Sequence, residues 1–155
     1  IPFFLVWKLK NEQTDEPKGD KPMVEINAYS KAKDGGKKLS ANFTVKEFAC
    51  RDGSDAVLTA PRLVMVLQSI RSHFAAPVVI HSAYRTPQYN AKVGGAAHSQ
   101  HCYGTAADIS VKGQTPAAVA AYARELMPDW GGVGVYAGQG FTHIDVRETR
   151  TDWTG

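Results

Sequence analysis

The chain has 155 residues, 43% of them apolar, and a formal net charge of +3. That length and apolar share suit a single domain with its own core, and the weak, dispersed charge lacks the concentrated basic face of a nucleic-acid binder. The two cysteines, Cys50 and Cys102, are too few for a disulfide scaffold and have no Cys-x-x-Cys spacing. Two free buried thiols are expected, with a Cys50–Cys102 bridge as the alternative.

Residues 1–7 (Ile-Pro-Phe-Phe-Leu-Val-Trp) are apolar, far short of the about 20 residues of a membrane span, and lack the basic flank of an intact signal peptide. A trimmed segment and a strand packed on the domain are both open readings. Residues 8–22 are polar, charged and carry two prolines, the composition of a linker. The chain thus divides into an apolar stub with a polar linker over 1–22 and one domain over 23–155. The basic run from Lys31 to Lys38 is broken by Asp34, Gly35 and Gly36 and reads as a solvated turn.

Residues 24–29 alternate apolar and polar, as a half-buried strand does. Thr44 and Glu47 fit a capping box and open a short helix over Phe43, Val45, Phe48 and Ala49. Thr59-Ala60-Pro61 opens a longer helix whose Leu63, Val66, Leu67, Ile70 and Phe74 form a core stripe. Residues 77–81 make a short buried strand. Thr86-Pro87 starts a helical turn ended by Gly94-Gly95, and residues 106–111 form a central strand. Thr115-Pro116 caps a helix carrying Val119, Tyr122, Ala123 and Leu126, which Pro128 stops. Residues 132–136 and 141–146 are strands joined by a glycine-rich turn. The pattern is α+β: a small antiparallel-rich central sheet with helices packed on one side.

Chemistry concentrates in the last third. His143 and Asp145 are two apart on a strand, so they share a face, while Ile144 and Val146 point to the core. Asp108 lies inside an apolar strand, where a lone carboxylate is costly unless paired or bound to a metal. His101 precedes it by seven residues, with Gly104 letting the chain turn back. Two histidines and one carboxylate make a three-point site with a position open for water, the composition of a catalytic rather than a structural zinc site. His98 is an alternative ligand to His101 or a polar group lining the pocket. His73 reads as a surface residue, and His81 as a core histidine or a donor behind the site. Trp130 reads as core or rim packing, and Trp153 as a pocket or rim aromatic.

The segment Ser99-x-His101-x-x-Gly104-x-Ala106-x-Asp108 resembles the Ser-x-His-x-x-Gly-x-Ala-x-Asp motif of the zinc D,D-peptidases, the hedgehog/D-Ala-D-Ala peptidase superfamily. Ser82-Ala83-Tyr84-Arg85-Thr86-Pro87 is similar to that family's upstream Ser-x-Tyr-Arg-Thr-Pro segment, and Thr142-His143-Ile144-Asp145 to its C-terminal His-x-Asp segment. The resemblance covers residues from about 42 to 153.

The resemblance implies a hedgehog/D,D-peptidase-like fold and Zn2+ held by His101, Asp108 and His143. It implies cleavage of peptide bonds in peptidoglycan stems or cross-bridges, as a D,D-carboxypeptidase or an endopeptidase. Arg85 then holds a substrate carboxylate or stabilises the oxyanion, with Tyr84, Ser99 and His98 as pocket residues. Such a protein works outside the cytoplasm at the cell wall, secreted or delivered by a phage in lysis, and a monomer is expected. The chain departs from the pattern at Gly140, three residues before His143, where many relatives carry the general-base carboxylate. Asp145 is the nearby acid, either as base, as orienter of a ligand histidine, or as partner of Arg147 or Arg85. A non-catalytic, metal-stabilised wall-binding module of the same fold is the competing class.

Overall fold

The computed structural model describes residues 24–155. The stub and linker expected over 1–22 lie outside the described residues. The expected strand at 24–29 is displaced toward the C-terminus: Val24 packs against the core, and β1 runs over Asn27–Ser30. The basic run is more ordered than a turn. It opens as a one-turn helix α1 (Lys31–Asp34), whose first turn is capped by the Ser30 hydroxyl accepting from the Lys33 amide at 3.3 Å. A hairpin of β2 (Lys38–Ser40) and β3 (Phe43–Thr44) follows. The capping-box pair then opens only a single 3₁₀ turn over Val45–Phe48, with Phe43 in β3 and Ala49 already extended, rather than the expected helix over all four apolar residues. The Glu47 carboxylate accepts from the Thr44 amide at 2.6 Å and from its hydroxyl at 3.1 Å. β4 (Ala56–Thr59) pairs antiparallel with β1, so Thr59 belongs to a strand and Ala60 is the N-cap of the next helix.

Three prolines stand at the first positions of three helices: α2 (Pro61–Phe74), α3 (Pro87–Lys92) and α4 (Pro116–Leu126). Proline suits that position because its missing amide has no partner to lose there. Thr86 and Thr115 cap the latter two, their hydroxyls accepting from the amides of Tyr89 (3.2 Å) and Ala118 (3.1 Å).

The central sheet comprises β5 (Val78–Ser82), β6 (Ala106–Val111), β7 (Gly132–Tyr136), β8 (Phe141–Asp145) and β9 (Thr151–Thr154), in the order β5-β6-β8-β7-β9. All pairings are antiparallel except β7 with β9. The architecture is α+β as expected, with two corrections. β5 is an edge strand rather than a buried one, with Val79 51% exposed. β9 lies beyond the elements expected. One face of the sheet packs Ile109, Val133 and Ile144 into the core with Leu63, Leu67 and Ile70 of α2 and Val119 and Ala123 of α4. The strand period of two sends alternate residues to the opposite face.

Candidate active site

That opposite face carries the chemistry. Asp108 of β6 and His143 of β8 are direct cross-strand partners, and Asp145 follows on the same face of β8. The third strand, β7, presents glycines there: Gly132 is the register partner of Asp145, and Gly134 of both His143 and Trp153. A Cβ on Gly132 would fall on the Asp145 carboxylate, and one on Gly134 on the Trp153 indole. Both glycines therefore leave free the space that the Asp145 carboxylate and the Trp153 indole occupy.

His101 comes from outside the sheet, on a 3₁₀ turn over Gln100–Tyr103. The Ser99 hydroxyl caps the turn by accepting from the His101 amide at 3.2 Å, and the His101 carbonyl accepts from the Arg85 amide at 3.1 Å. Gly104 ends the turn at φ +74°, packed against the Leu58 backbone where a Cβ has no room. This left-handed residue returns the chain into β6 and so sets His101 over Asp108.

Each histidine of the cluster is held by its far nitrogen. The His101 Nδ1–H donates to the Ala83 carbonyl at 2.6 Å, leaving the Nε2 lone pair 3.3 Å from Asp108 Oδ1. The His143 Nε2–H donates to Asp145 Oδ2 at 2.8 Å, leaving Nδ1 2.9 Å from the same Asp108 oxygen. One donor atom from each of His101, Asp108 and His143 lies within 4.8 Å of the others, and all three residues are buried. Two imidazole nitrogens and one carboxylate oxygen, with both tautomers set by partners behind them, fit a divalent metal with an open position.

Burial alone raises a carboxyl pKa, yet the imidazoles of His101 and His143 beside Asp108 hold it well below the usual carboxylate range. Burial likewise opposes a charge on Asp145, but His143 and Arg147 bring it down to about 2. Burial disfavours a charged His143, and the two flanking carboxylates more than offset this and raise its pKa. Arg147 grips Asp145 with Nε on Oδ1 (2.8 Å) and Nη2 on Oδ2 (2.7 Å), the planar fork matching a carboxylate.

His101, Asp108 and His143 line a cleft of about 500 Å³. Arg85 closes one side. Its guanidinium donates to Ser82 Oγ at 3.0 Å, to Asn90 Oδ1 at 3.4 Å and to Asp108 Oδ2 at 3.4 Å. Asp108 thus turns Oδ1 to the histidines and Oδ2 to Arg85. The opposite wall is aromatic: Tyr136 and Phe141 stack at 4.4 Å between centroids, Trp153 donates to the Tyr136 hydroxyl at 2.9 Å, and its ring lies 5.0 Å from that of His143. A larger apolar cavity, about 1030 Å³ beside α2, is lined by none of these residues.

Of the other candidates, His98 is exposed and lines the cleft three residues before His101. Ser99 lines it too, with its hydroxyl engaged as a cap. Tyr84 is not among the lining residues: with Arg85 turned to the cleft, Tyr84 is buried and within electrostatic reach of Cys50 and Cys102. Asp145 is fully buried beneath His143 rather than open to the cleft. Among the described lining residues Asp108 is the sole carboxylate.

His73 is exposed, as expected, and stacks on Tyr122 at 3.7 Å. His81 is neither a core histidine nor a donor behind the site, because it sits exposed on the edge strand with Nε2 2.8 Å from Ser110 Oγ. Trp130 is half-buried and packs against the core, with the Arg62 guanidinium 4.3 Å over its ring. Both cysteines are free, Cys50 buried and Cys102 half-buried. Sequence reasoning missed the Tyr136–Phe141 wall, the two cleared glycine positions and the Ala83 carbonyl. Gly132-x-Gly134 alternating with valines on a strand was the available signal for the glycines.

No helix among the described residues is long and apolar enough to cross a membrane. No curated protein matches the chain significantly. Residues 39–145, which include Arg85, His101, Asp108, His143 and Asp145, match the family described as Peptidase M15, and the chain belongs to that family of metallopeptidases.

Proposed function

We propose that the protein is a zinc-dependent peptidase that hydrolyses peptide bonds in bacterial peptidoglycan, as a D,D-carboxypeptidase or an endopeptidase. One observation carries the reading: His101, Asp108 and His143 converge on one point with each histidine's far nitrogen already satisfied. The chemistry a bound zinc supplies at such a site is activation of water at neutral pH and polarisation of the scissile carbonyl. The chain's own residues do the rest. Ala83 and Asp145 keep the ligand histidines in the metal-binding tautomers. Arg85 holds a substrate carboxylate beside the ligands, and Trp153, Tyr136 and Phe141 supply a flat apolar wall for the peptide. Asp145 acts through His143 as a positioning residue, since both of its oxygens are taken by His143 and Arg147.

The protein then acts outside the cytoplasm, secreted or phage-delivered, as a monomer on peptidoglycan peptides. Mass spectrometry of purified peptidoglycan digested with zinc-loaded protein tests the assignment. Loss of a terminal alanine identifies a carboxypeptidase, and split cross-links or stems identify an endopeptidase. Intact muropeptides under a protein shown to hold zinc would contradict it.

A second reading, a metal-stabilised wall-binding module, draws on Gly140 and on the absence of a second carboxylate among the described cleft residues. It predicts co-sedimentation with sacculi and no new amine termini.

A further inference from the structure

Arg85 does not stand alone in the cleft wall. Behind it lies Asn90 of α3, 4% exposed, with both ends of its side-chain amide in use. Oδ1 accepts from Arg85 Nη1 at 3.4 Å, and Nδ2 donates to the Ala96 carbonyl at 2.8 Å. The Asn90 main-chain carbonyl also accepts from the Gly95 amide at 2.8 Å. Gly95 has no positive φ, so its backbone does not require glycine. The space does: a Cβ there would fall on the Asn90 side-chain amide. The stretch tied down in this way leads into His98 and Ser99 on the cleft rim, and from there into the turn that carries His101.

One buried amide therefore joins the two parts of the cleft that face a substrate from the Arg85 side. An amide suits the place because it offers an acceptor to a guanidinium and a donor to a carbonyl from one planar group. Of the five N–H donors of Arg85, three are engaged, by Ser82, Asn90 and Asp108. The two that remain are those a carboxylate can take.

We propose that Asn90 is a positioning residue for carboxylate recognition, locking the Arg85 guanidinium and the rim at Ala96 in one register. The inference rests on the peptidase reading for its placement of Arg85 on a substrate carboxylate. An Asn90 confined to folding would alter stability and leave the carboxylate site alone. One that positions Arg85 alters binding only while Arg85 is present.

The test is a double-mutant cycle on the zinc-loaded full chain, with N-acetyl-D-alanine as the carboxylate probe and binding followed by NMR titration. Asn90→Ala and Arg85→Ala are each expected to weaken the probe about tenfold, the worth of a hydrogen bond to a charged group. The double variant is expected to bind no more weakly than Arg85→Ala alone, with zinc content unchanged in all four proteins. If Asn90→Ala does not fold, Gly95→Ala crowds the same amide and gives the same weakening. In turnover, KM rises more than kcat falls. Wild-type affinity in Asn90→Ala, full additivity in the double variant, or no binding of the probe to the wild type overturns the proposal. Asn90-dependent binding by a protein that cleaves no peptidoglycan leaves this inference standing and removes the peptidase reading.

Discussion

Asp145 and His143 lie two residues apart on β8, and the buried carboxylate of the first accepts the Nε2–H of the second at 2.8 Å, directly behind the three-residue cluster. The pair places a full negative charge under an imidazole whose other nitrogen faces Asp108. In zinc sites such a carboxylate fixes the ring and raises its basicity.

Removing that charge while keeping the shape isolates the effect. Asp145→Asn is expected to lower zinc affinity by about 10- to 100-fold, measured by competition with a chromophoric chelator. Asp145→Ala also strands Arg147 and destabilises the fold by about 3 kcal/mol, read from urea midpoints. Unchanged zinc affinity with a collapsed kcat would instead make Asp145 the general base.

Acid should unfold the metal-free protein partly through the same residue. The Asp145 pKa is down at about 2 in the folded chain against an ordinary 3.8, so the folded state favours the ionised form. The stabilisation is fully present above about pH 4 and is lost as pH falls toward about 2. A shift of this size is worth about 2 kcal/mol. Denaturant midpoints across pH 2–6, with chelator present, should fall more steeply for the wild type than for Asp145→Asn.

Gly132 faces the Asp145 carboxylate across the ladder with no room for a Cβ. Gly132→Ala is expected to cost about 1–3 kcal/mol from overpacking and, by displacing Asp145, to weaken zinc binding as well. Leu67→Ala in the core is the control: it costs about 2–5 kcal/mol and leaves zinc affinity intact while the protein remains folded. Parallel thermal melts and zinc titrations separate the two.

Trp153 lies 5.0 Å from the His143 ring, whereas Trp130 packs against Arg62. Zinc titration should therefore change the intrinsic fluorescence, and Trp153→Phe should abolish that change while Trp130→Phe preserves it. Retention of the full change in Trp153→Phe would place the responding tryptophan elsewhere.

The helices and site strands were legible because their signals are local. Proline after threonine announced α3 and α4, and the period of two put His143 and Asp145 on one face. The cluster itself was legible because Asp108 interrupts an apolar strand, which demands a partner. What escaped depends on distant pairing. β9 is four residues whose partner, β7, lies about 20 positions away, and parallel pairing leaves no turn signature. β1 and β4 pair residues 26 to 32 positions apart. His81 was misplaced because nothing in Val-Val-Ile-His says that the strand is an edge. The two sides of Asp145 were invisible for the same reason: Gly132 reaches it only through the fold.

In the proposed reaction His101, Asp108 and His143 hold a zinc that hydrolysis requires. The most direct measurement removes metal with a chelator, restores one equivalent of zinc, and follows free-amine release from purified peptidoglycan, with His101→Ala in parallel. No release is expected without metal, recovery on adding zinc, and none from the variant. Release that survives demetallation, or that His101→Ala retains in full, would contradict this requirement for zinc.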